Sequence, residues 1–243
     1  PLFELWLERY AAVARHELVI CALDAAAADA VAACLERRRV EARILLRPCG
    51  EGKRSAIWRA RLSVVAELLV EDDRLVIHSD VDAFWLKDAA AAAQKAVAAD
   101  SRVAAAFSLD GGRARGLLCP GCYAVRGDAA GRAFVAAWTA RVDAVAGGGD
   151  DQLMLNQLYE RHLLARVGGP QAWYLATLPY ADFQRCHRRH RCPPGRMPTV
   201  WHPWLAEPVS EKAARRCQNL RRGPFQPIFR GRRGHGQRRK THI

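Results

Sequence analysis

Several features that would define a protein class are missing from these 243 residues. No apolar run is long enough to cross a bilayer as a helix, and no secretory signal peptide is recognisable. No internal repeat is present, which argues against a solenoid or a propeller. The chain opens directly with helix-like residues (PLFELWLERY), so we expect a preceding piece that could carry a membrane anchor or a signal sequence.

Acidic residues are scarce in the C-terminal quarter of the chain. Residues 183–243 contain 16 of the 38 Lys+Arg residues but only 2 of the 25 Asp+Glu residues. This distribution favours a basic tail on a nearly neutral domain, and without interleaved aromatic residues we expect no specific nucleic-acid partner. The sequence predicts one domain over residues 1–222 and a disordered basic tail over residues 223–243.

Short apolar runs alternate with helical patterns over most of the domain. Residues 17–24 (ELVICALD), 40–46 (VEARILL) and 74–80 (RLVIHSD) are typical of strands. Helical patterns at residues 25–38 (AAAADAVAACLERR) and 55–70 (SAIWRARLSVVAELLV) separate them. These runs are continuously apolar, as in strands that are covered on both faces. The sequence therefore predicts an α/β fold with a mostly parallel central sheet flanked by helices.

Two aspartates one residue apart follow the third predicted strand, in the stretch LVIHSDVDAFWLKD. Strand alternation places Asp80 and Asp82 on the same side, and ligands bind at the carboxyl ends of strands in open α/β sheets. Two adjacent carboxylates repel each other unless a cation joins them. Hard ions such as Mg²⁺ or Mn²⁺ take such oxygen ligands and share them with phosphates, so the pattern indicates a metal–diphosphate site. A simple turn that ends a strand is the alternative.

The residues around this motif resemble a known enzyme family. The block IWRARLSVVAELL followed by RLVIHSDVDAFWLKD is similar to the centre of nucleotide-diphospho-sugar transferases, a group that includes plant and algal cell-wall xylosyl- and arabinosyl-type enzymes. The segments CPGCYAVRGDAAGRAFVAAW, GDDQLMLNQL and TVWHPWLAEPVSEKAARR occur in the expected order. The resemblance implies a Rossmann-like GT-A fold over roughly residues 17–220. The first strand of that fold should precede residues 2–15 and is absent here.

The resemblance also implies a set of metal ligands. Asp80 and Asp82 would bind Mn²⁺ or Mg²⁺, and His202 would complete the metal site. The ion would bridge the two phosphates of a nucleotide-sugar and stabilise the charge that develops on the leaving nucleoside diphosphate.

Further residues acquire roles from the same resemblance. Arg61, Asp80 and Lys212 would lie near the donor, with Lys212 approaching the phosphates as a point charge. Asp151 and Gln152 would be catalytic residues near the donor sugar and the acceptor hydroxyl. Cys119 stands where the family often carries asparagine, which weakens the assignment of the acceptor side.

The implied function is a glycosyltransferase that moves a sugar, with retention of configuration, from a UDP-sugar to a glycan or glycoprotein hydroxyl. A eukaryotic enzyme of this kind would lie in the Golgi membrane with a lumenal catalytic domain, and a bacterial one in the cytoplasm. One alternative is an aspartyl phosphatase, which also carries two spaced aspartates after a strand. The other is a non-catalytic protein whose basic tail binds acidic glycan or nucleic acid.

Overall fold

A computed structural model of the chain describes residues 2–49, 54–70, 74–110, 116–145, 150–165, 173–186 and 198–203. Within these ranges, helices and strands alternate along most of the chain. They are α1 (Leu2–Val13), β1 (Val19–Ala22), α2 (Ala25–Arg38), β2 (Arg43–Leu46), α3 (Arg54–Leu68), β3 (Leu75–Ser79), β4 (Phe84–Trp85), α4 (Ala90–Val97), β5 (Val103–Asp110), β6 (Leu117–Arg126), α5 (Ala129–Asp143), α6 (Asp151–Ala165), β7 (Tyr174–Thr177), β8 (Phe183–Cys186) and β9 (Val200–Pro203).

The strands of the described residues form two sheets. A larger sheet has the order β3-β6-β5-β8-β9-β4, with β7 also paired to β5, while β1 and β2 form a separate parallel pair. The prediction of an α/β fold is confirmed, but the prediction of a mostly parallel sheet is not. Strand β6 runs antiparallel to both β3 and β5, and β4 runs antiparallel to β9. Only residues 111–116 separate β5 from β6 along the chain, and a parallel crossover would need a dozen or more residues.

The core lies where α3, α5 and α6 pack on the larger sheet. Its largest fully buried side chains include Trp138, Tyr123, Phe107 and Phe134. The Phe107 and Tyr123 rings stack with centroids 4.9 Å apart, and Trp138 meets both rings edge-on. Aromatic pairs of this kind contribute beyond the area they bury. These ring contacts join β5 and β6 to α5.

Local signals in the sequence explain where individual helices begin. The Asp24 side chain accepts a hydrogen bond from Ala27 N at 2.6 Å and caps α2, and Asp128 caps α5 in the same way through Gly131 N at 3.0 Å. Helix α1 is amphipathic and buries Leu5, Trp6, Leu7 and Tyr10. No helix in the described ranges is long and apolar enough to cross a bilayer.

An apolar cavity of about 910 Å³ lies between β1 and β3, and residues of α1 and α3 also line it. The two strands do not pair, and each therefore has one edge without a neighbouring strand among the described residues. Glu17 precedes β1 and Arg74 precedes β3, and an ion pair of 3.0 Å joins their side chains. The strands therefore start at the same end of the cavity, and the carboxyl end of β3 carries Asp80 at the other end.

Candidate functional site

Asp80 and Asp82 lie in the turn that follows β3. Asp80 N donates to Gly121 O at 2.8 Å, and Ala83 N donates to Asp80 O at 2.9 Å, which closes the turn. Val81 between them is 45% exposed, so it faces away from the two carboxylates. Helix α1 supports this turn, because Trp6 Nε1 donates to Ala83 O at 3.0 Å. The turn is thus held from both sides, and its two carboxylates have a defined position.

The pairing of β4 with β9 places His202 beside the two aspartates. In the β4–β9 ladder, Phe84 is paired with Trp201, which places the next residue of β9 beside the turn. His202 is buried, and its Nε2 lies 3.1 Å from Asp82 Oδ1. One ligand atom from each of Asp80, Asp82 and His202 lies within 4.8 Å of the others, which suits a shared metal ion. The three predicted metal ligands are therefore brought together.

The chemistry of this group fits a divalent ion. Two carboxylates and one imidazole are ligands that Mn²⁺ accepts, whereas Mg²⁺ prefers oxygen alone. Gly121 leaves room for the group, since a methyl group there would lie 2.3 Å from His202 Cε1 and 2.8 Å from Asp80 Oδ2. Only a residue without a side chain fits this position, which explains the glycine on physical grounds.

His202 has a raised pKa because of its hydrogen-bond partners. Burial disfavours the charged imidazolium, but the hydrogen bonds to Asp82 and Cys119 outweigh burial and raise the pKa of His202 to about 10. The Cys119 contact is loose, with Sγ 4.0 Å from His202 Nδ1. Cys119 is thus a buried neighbour of the predicted metal ligand His202. Metal binding through the imidazole must displace a proton at neutral pH.

Asp80 is held in its ionised form. Burial acts to raise the pKa of this carboxyl, but the hydrogen bond from His78 and the positive charges of Arg61 and His202 hold the pKa below its usual value. His78 Nε2 lies 3.1 Å from Asp80 Oδ1. Burial lowers the pKa of His78, so the ring is neutral at pH 7. The neutral ring donates its single N–H to the carboxylate.

Arg61 connects the candidate metal-binding group (Asp80, Asp82 and His202, hereafter the metal group) to helix α6. Its Nη1 lies 3.5 Å from Asp80 Oδ1 and donates to Pro120 O at 3.1 Å, and its Nη2 forms an ion pair with Asp151 Oδ2. The side chain of Arg61 is 12% exposed and that of Asp151 is 4% exposed. Arg61 lines the cavity beside the metal group. The predicted donor-side arginine and the predicted catalytic aspartate therefore form one buried pair.

Gln152, which the family resemblance places near the acceptor, joins the start of α6 to two strands. Its Nε2 donates to Asp110 Oδ2 at 3.1 Å and to Leu118 O at 3.2 Å. Asn156, one turn later in α6, accepts from Leu118 N at 2.7 Å and donates to Leu118 O at 2.9 Å. The start of α6 is thus tied to β5 and β6. Sequence reasoning did not find Asp110 or Asn156, and no pattern in the sequence indicated them.

The outcomes differ for Lys212, for the basic tail and for His78. Lys212 and the basic tail at 223–243 lie outside the described residues, so their roles stay predictions. His78 Nε2 lies 3.1 Å from Asp80 Oδ1, and the sequence analysis did not identify this contact. A usable signal existed, because residues two apart on a strand face the same side.

The fold and the site define an α/β protein in which three residues suited to a divalent ion lie at one end of a large cavity. Comparison with known families agrees with this description, since the model of the nucleotide-diphospho-sugar transferase family matches residues 14–200. The match covers most of the chain, and the protein belongs to the nucleotide-diphospho-sugar transferase family. It is therefore a glycosyltransferase by family. No curated protein matches the sequence at a significant level.

Proposed function

We propose that this protein is a metal-dependent glycosyltransferase that moves a sugar from a UDP-sugar to a glycan or glycoprotein hydroxyl. The single observation that carries the proposal is the group of Asp80, Asp82 and His202 at one end of the cavity. The cavity has a volume of about 910 Å³, which is enough for a nucleotide-sugar. The family match favours a transferase over a phosphatase or a non-catalytic protein.

The acidic residues at this end of the cavity can accept a diphosphate only when a cation is bound between them and the phosphates. Asp80 and Asp82 are both acidic, and they would repel a nucleoside diphosphate directly. A bound Mn²⁺, or Mg²⁺ as the second choice, would neutralise charge on the leaving diphosphate. Asp80, Asp82 and His202 would hold this ion, and the Arg61 guanidinium lies beside them. We further propose that Lys212 contacts the phosphates, as the family resemblance implies.

The residues at the start of α6 support roles in orientation. Asp151 is 3% exposed and its carboxylate is paired with Arg61, which does not suit attack on a sugar carbon. We assign Asp151 the role of holding the Arg61 guanidinium in place beside the metal group. Gln152 holds Asp110 and the Leu118 carbonyl, and thereby orders the acceptor side. Transfer with retention of configuration is proposed from the family resemblance.

Calorimetric titration with UDP tests this function. We expect UDP to bind wild-type protein in the presence of Mn²⁺ and not in the presence of EDTA, and we expect Asp82→Ala to abolish binding. Asp143→Ala is a matched control, because Asp143 pairs with Arg59 on the surface and its side chain is 51% exposed. Equal UDP binding by folded wild-type and Asp82→Ala protein, or binding that is indifferent to EDTA, would contradict the proposal.

A further inference from the structure

His78 lies on β3, two residues before Asp80, and its Nε2 lies 3.1 Å from Asp80 Oδ1. We propose that His78 is a positioning residue that fixes the Asp80 carboxylate so that Oδ2, and not Oδ1, binds the metal ion. The proposal rests on the metal site of the proposed function. It adds a residue that acts through Asp80 and that neither the motif nor the family match assigns.

The two oxygens of Asp80 have different surroundings. Oδ1 faces two donors, with His78 Nε2 at 3.1 Å and Arg61 Nη1 at 3.5 Å. Oδ2 faces Gly121, since a methyl group on that glycine would lie 2.8 Å from Oδ2 and 3.0 Å from His202 Nδ1. Within the part of the chain that the structure describes, Oδ2 has no donor contact, and Oδ2 is the oxygen directed towards His202.

The His78 ring is itself held firmly. It is paired across the β3–β6 ladder with Tyr123, and the two rings stack with centroids 4.8 Å apart at an angle of 29°. Tyr123 stacks in turn on Phe107 in the core. A donor on a fixed ring restricts rotation of the carboxylate about its χ2 angle, which is broad in an unrestrained aspartate. Partners of this kind orient metal ligands and tune affinity.

Arg61 cannot replace His78 in this role. Its contact with Asp80 is the longer one, and its guanidinium is engaged by Asp151 and by the Pro120 carbonyl. Loss of the His78 donor would leave Asp80 Oδ1 with the weaker contact alone. The carboxylate could then rotate or bind the ion through both oxygens, and the geometry set by Gly121 and His202 would be lost.

The test compares Mn²⁺ affinity, measured by calorimetry and by the electron paramagnetic resonance of free Mn²⁺, in the full chain. His78→Phe keeps an aromatic ring against Tyr123 and removes the N–H, and we expect it to weaken Mn²⁺ binding about 10- to 100-fold. His78→Gln restores an N–H donor and should recover most of that loss. His16→Phe is the control, because His16 pairs with Asp88 on the surface and is 48% exposed.

A purely structural histidine would show a different result. It would change the melting temperature but leave Mn²⁺ affinity alike in all folded variants, and that outcome would overturn the proposal. Equal weakening by His78→Phe and His78→Gln would also overturn it, because the donor would then be irrelevant. His78→Met replaces the phenylalanine variant if the latter does not fold. Wild-type protein that binds no Mn²⁺ would refute the proposed function and this proposal together, whereas failure of this proposal alone leaves wild-type binding intact.

Discussion

Replacing Gly121 with alanine tests the geometry of the metal group without removing any of its ligands. The added methyl group would lie 2.3 Å from His202 Cε1, 2.8 Å from Asp80 Oδ2 and 3.0 Å from His202 Nδ1. Non-bonded carbon atoms prefer separations of about 3.5–4.0 Å, so the ring has to move by roughly 1 Å or more. His202 is buried and hydrogen-bonded to Asp82, so movement of its ring would separate it from Asp80 and Asp82.

The expected loss of Mn²⁺ affinity can be estimated from the usual cost of adding a carbon atom to a packed site. An extra carbon in a well-packed site costs about 1–3 kcal/mol. If this cost falls on the metal-bound state, Mn²⁺ affinity weakens about 5- to 160-fold. Calorimetric titration of the metal into Gly121→Ala and wild-type protein measures the change directly.

Gly116→Ala is the matched control for this experiment. Gly116 has a φ angle of +61°, and a methyl group there would meet no atom within 4 Å. The alanine therefore strains the backbone by about 1–2 kcal/mol, which lowers the melting temperature but leaves the metal group alone. Wild-type Mn²⁺ affinity in folded Gly121→Ala would refute the reasoning, since the ligands would then not meet at this glycine.

Three other perturbations have defined outcomes. Arg61→Met leaves Asp151 buried without its cation and should lower the free energy of unfolding, measured in urea, by about 3–5 kcal/mol. Arg59→Met removes a surface ion pair and should lower it by at most about 1 kcal/mol. Equal losses in the two variants would show that Arg61 does not stabilise the fold through Asp151. The pKa of His202 is raised in the metal-free folded state from 6.5 to about 10, so its stabilisation is complete below pH 6.5 and is lost as the pH rises to about 10. His202→Asn should flatten this part of the stability curve measured by urea unfolding, and an unchanged slope would contradict the assignment. Deletion of residues 223–243 should leave UDP and Mn²⁺ binding unchanged and reduce only salt-dependent binding to polyanions; loss of UDP binding would place the tail in the site.

Helices were predictable because their signals are local. The pattern of residues 25–38 coincides with α2, and the side chain of Asp24 ends the preceding strand and caps the helix. The predicted helix at 55–70 corresponds to α3 (Arg54–Leu68), and the strand at 74–80 corresponds to β3 (Leu75–Ser79). Spacing within one element carries this information, so no distant contact is needed.

Strand direction was not predictable in the same way. The apolar run of β6 is equally suited to a parallel and to an antiparallel position, since both faces of the strand are buried. Only its pairing with β3 and β5 decides the direction. The short strands β7 and β8 were missed because four residues each carry too little periodicity.

In the candidate site, too, local patterns were predictable and contacts between distant segments were not. Asp80 and Asp82 were found from a local pattern at a strand end, and His202 was found only through the family resemblance. The ion pair between Arg61 and Asp151, the hydrogen bond between Gln152 and Asp110, and the approach of Gly121 to His202 depend on how distant segments pack. No spacing in the sequence specifies such contacts.

The most direct test of the central claim is turnover of a UDP-sugar panel by the full chain, with released UDP as the readout. We expect UDP release in Mn²⁺ that stops on addition of EDTA and returns when Mn²⁺ is restored. We expect no release by Asp80→Asn and Asp82→Asn protein of wild-type melting temperature. Release that continues in EDTA, or at the wild-type rate in either variant, would contradict the metal-dependent transferase described here.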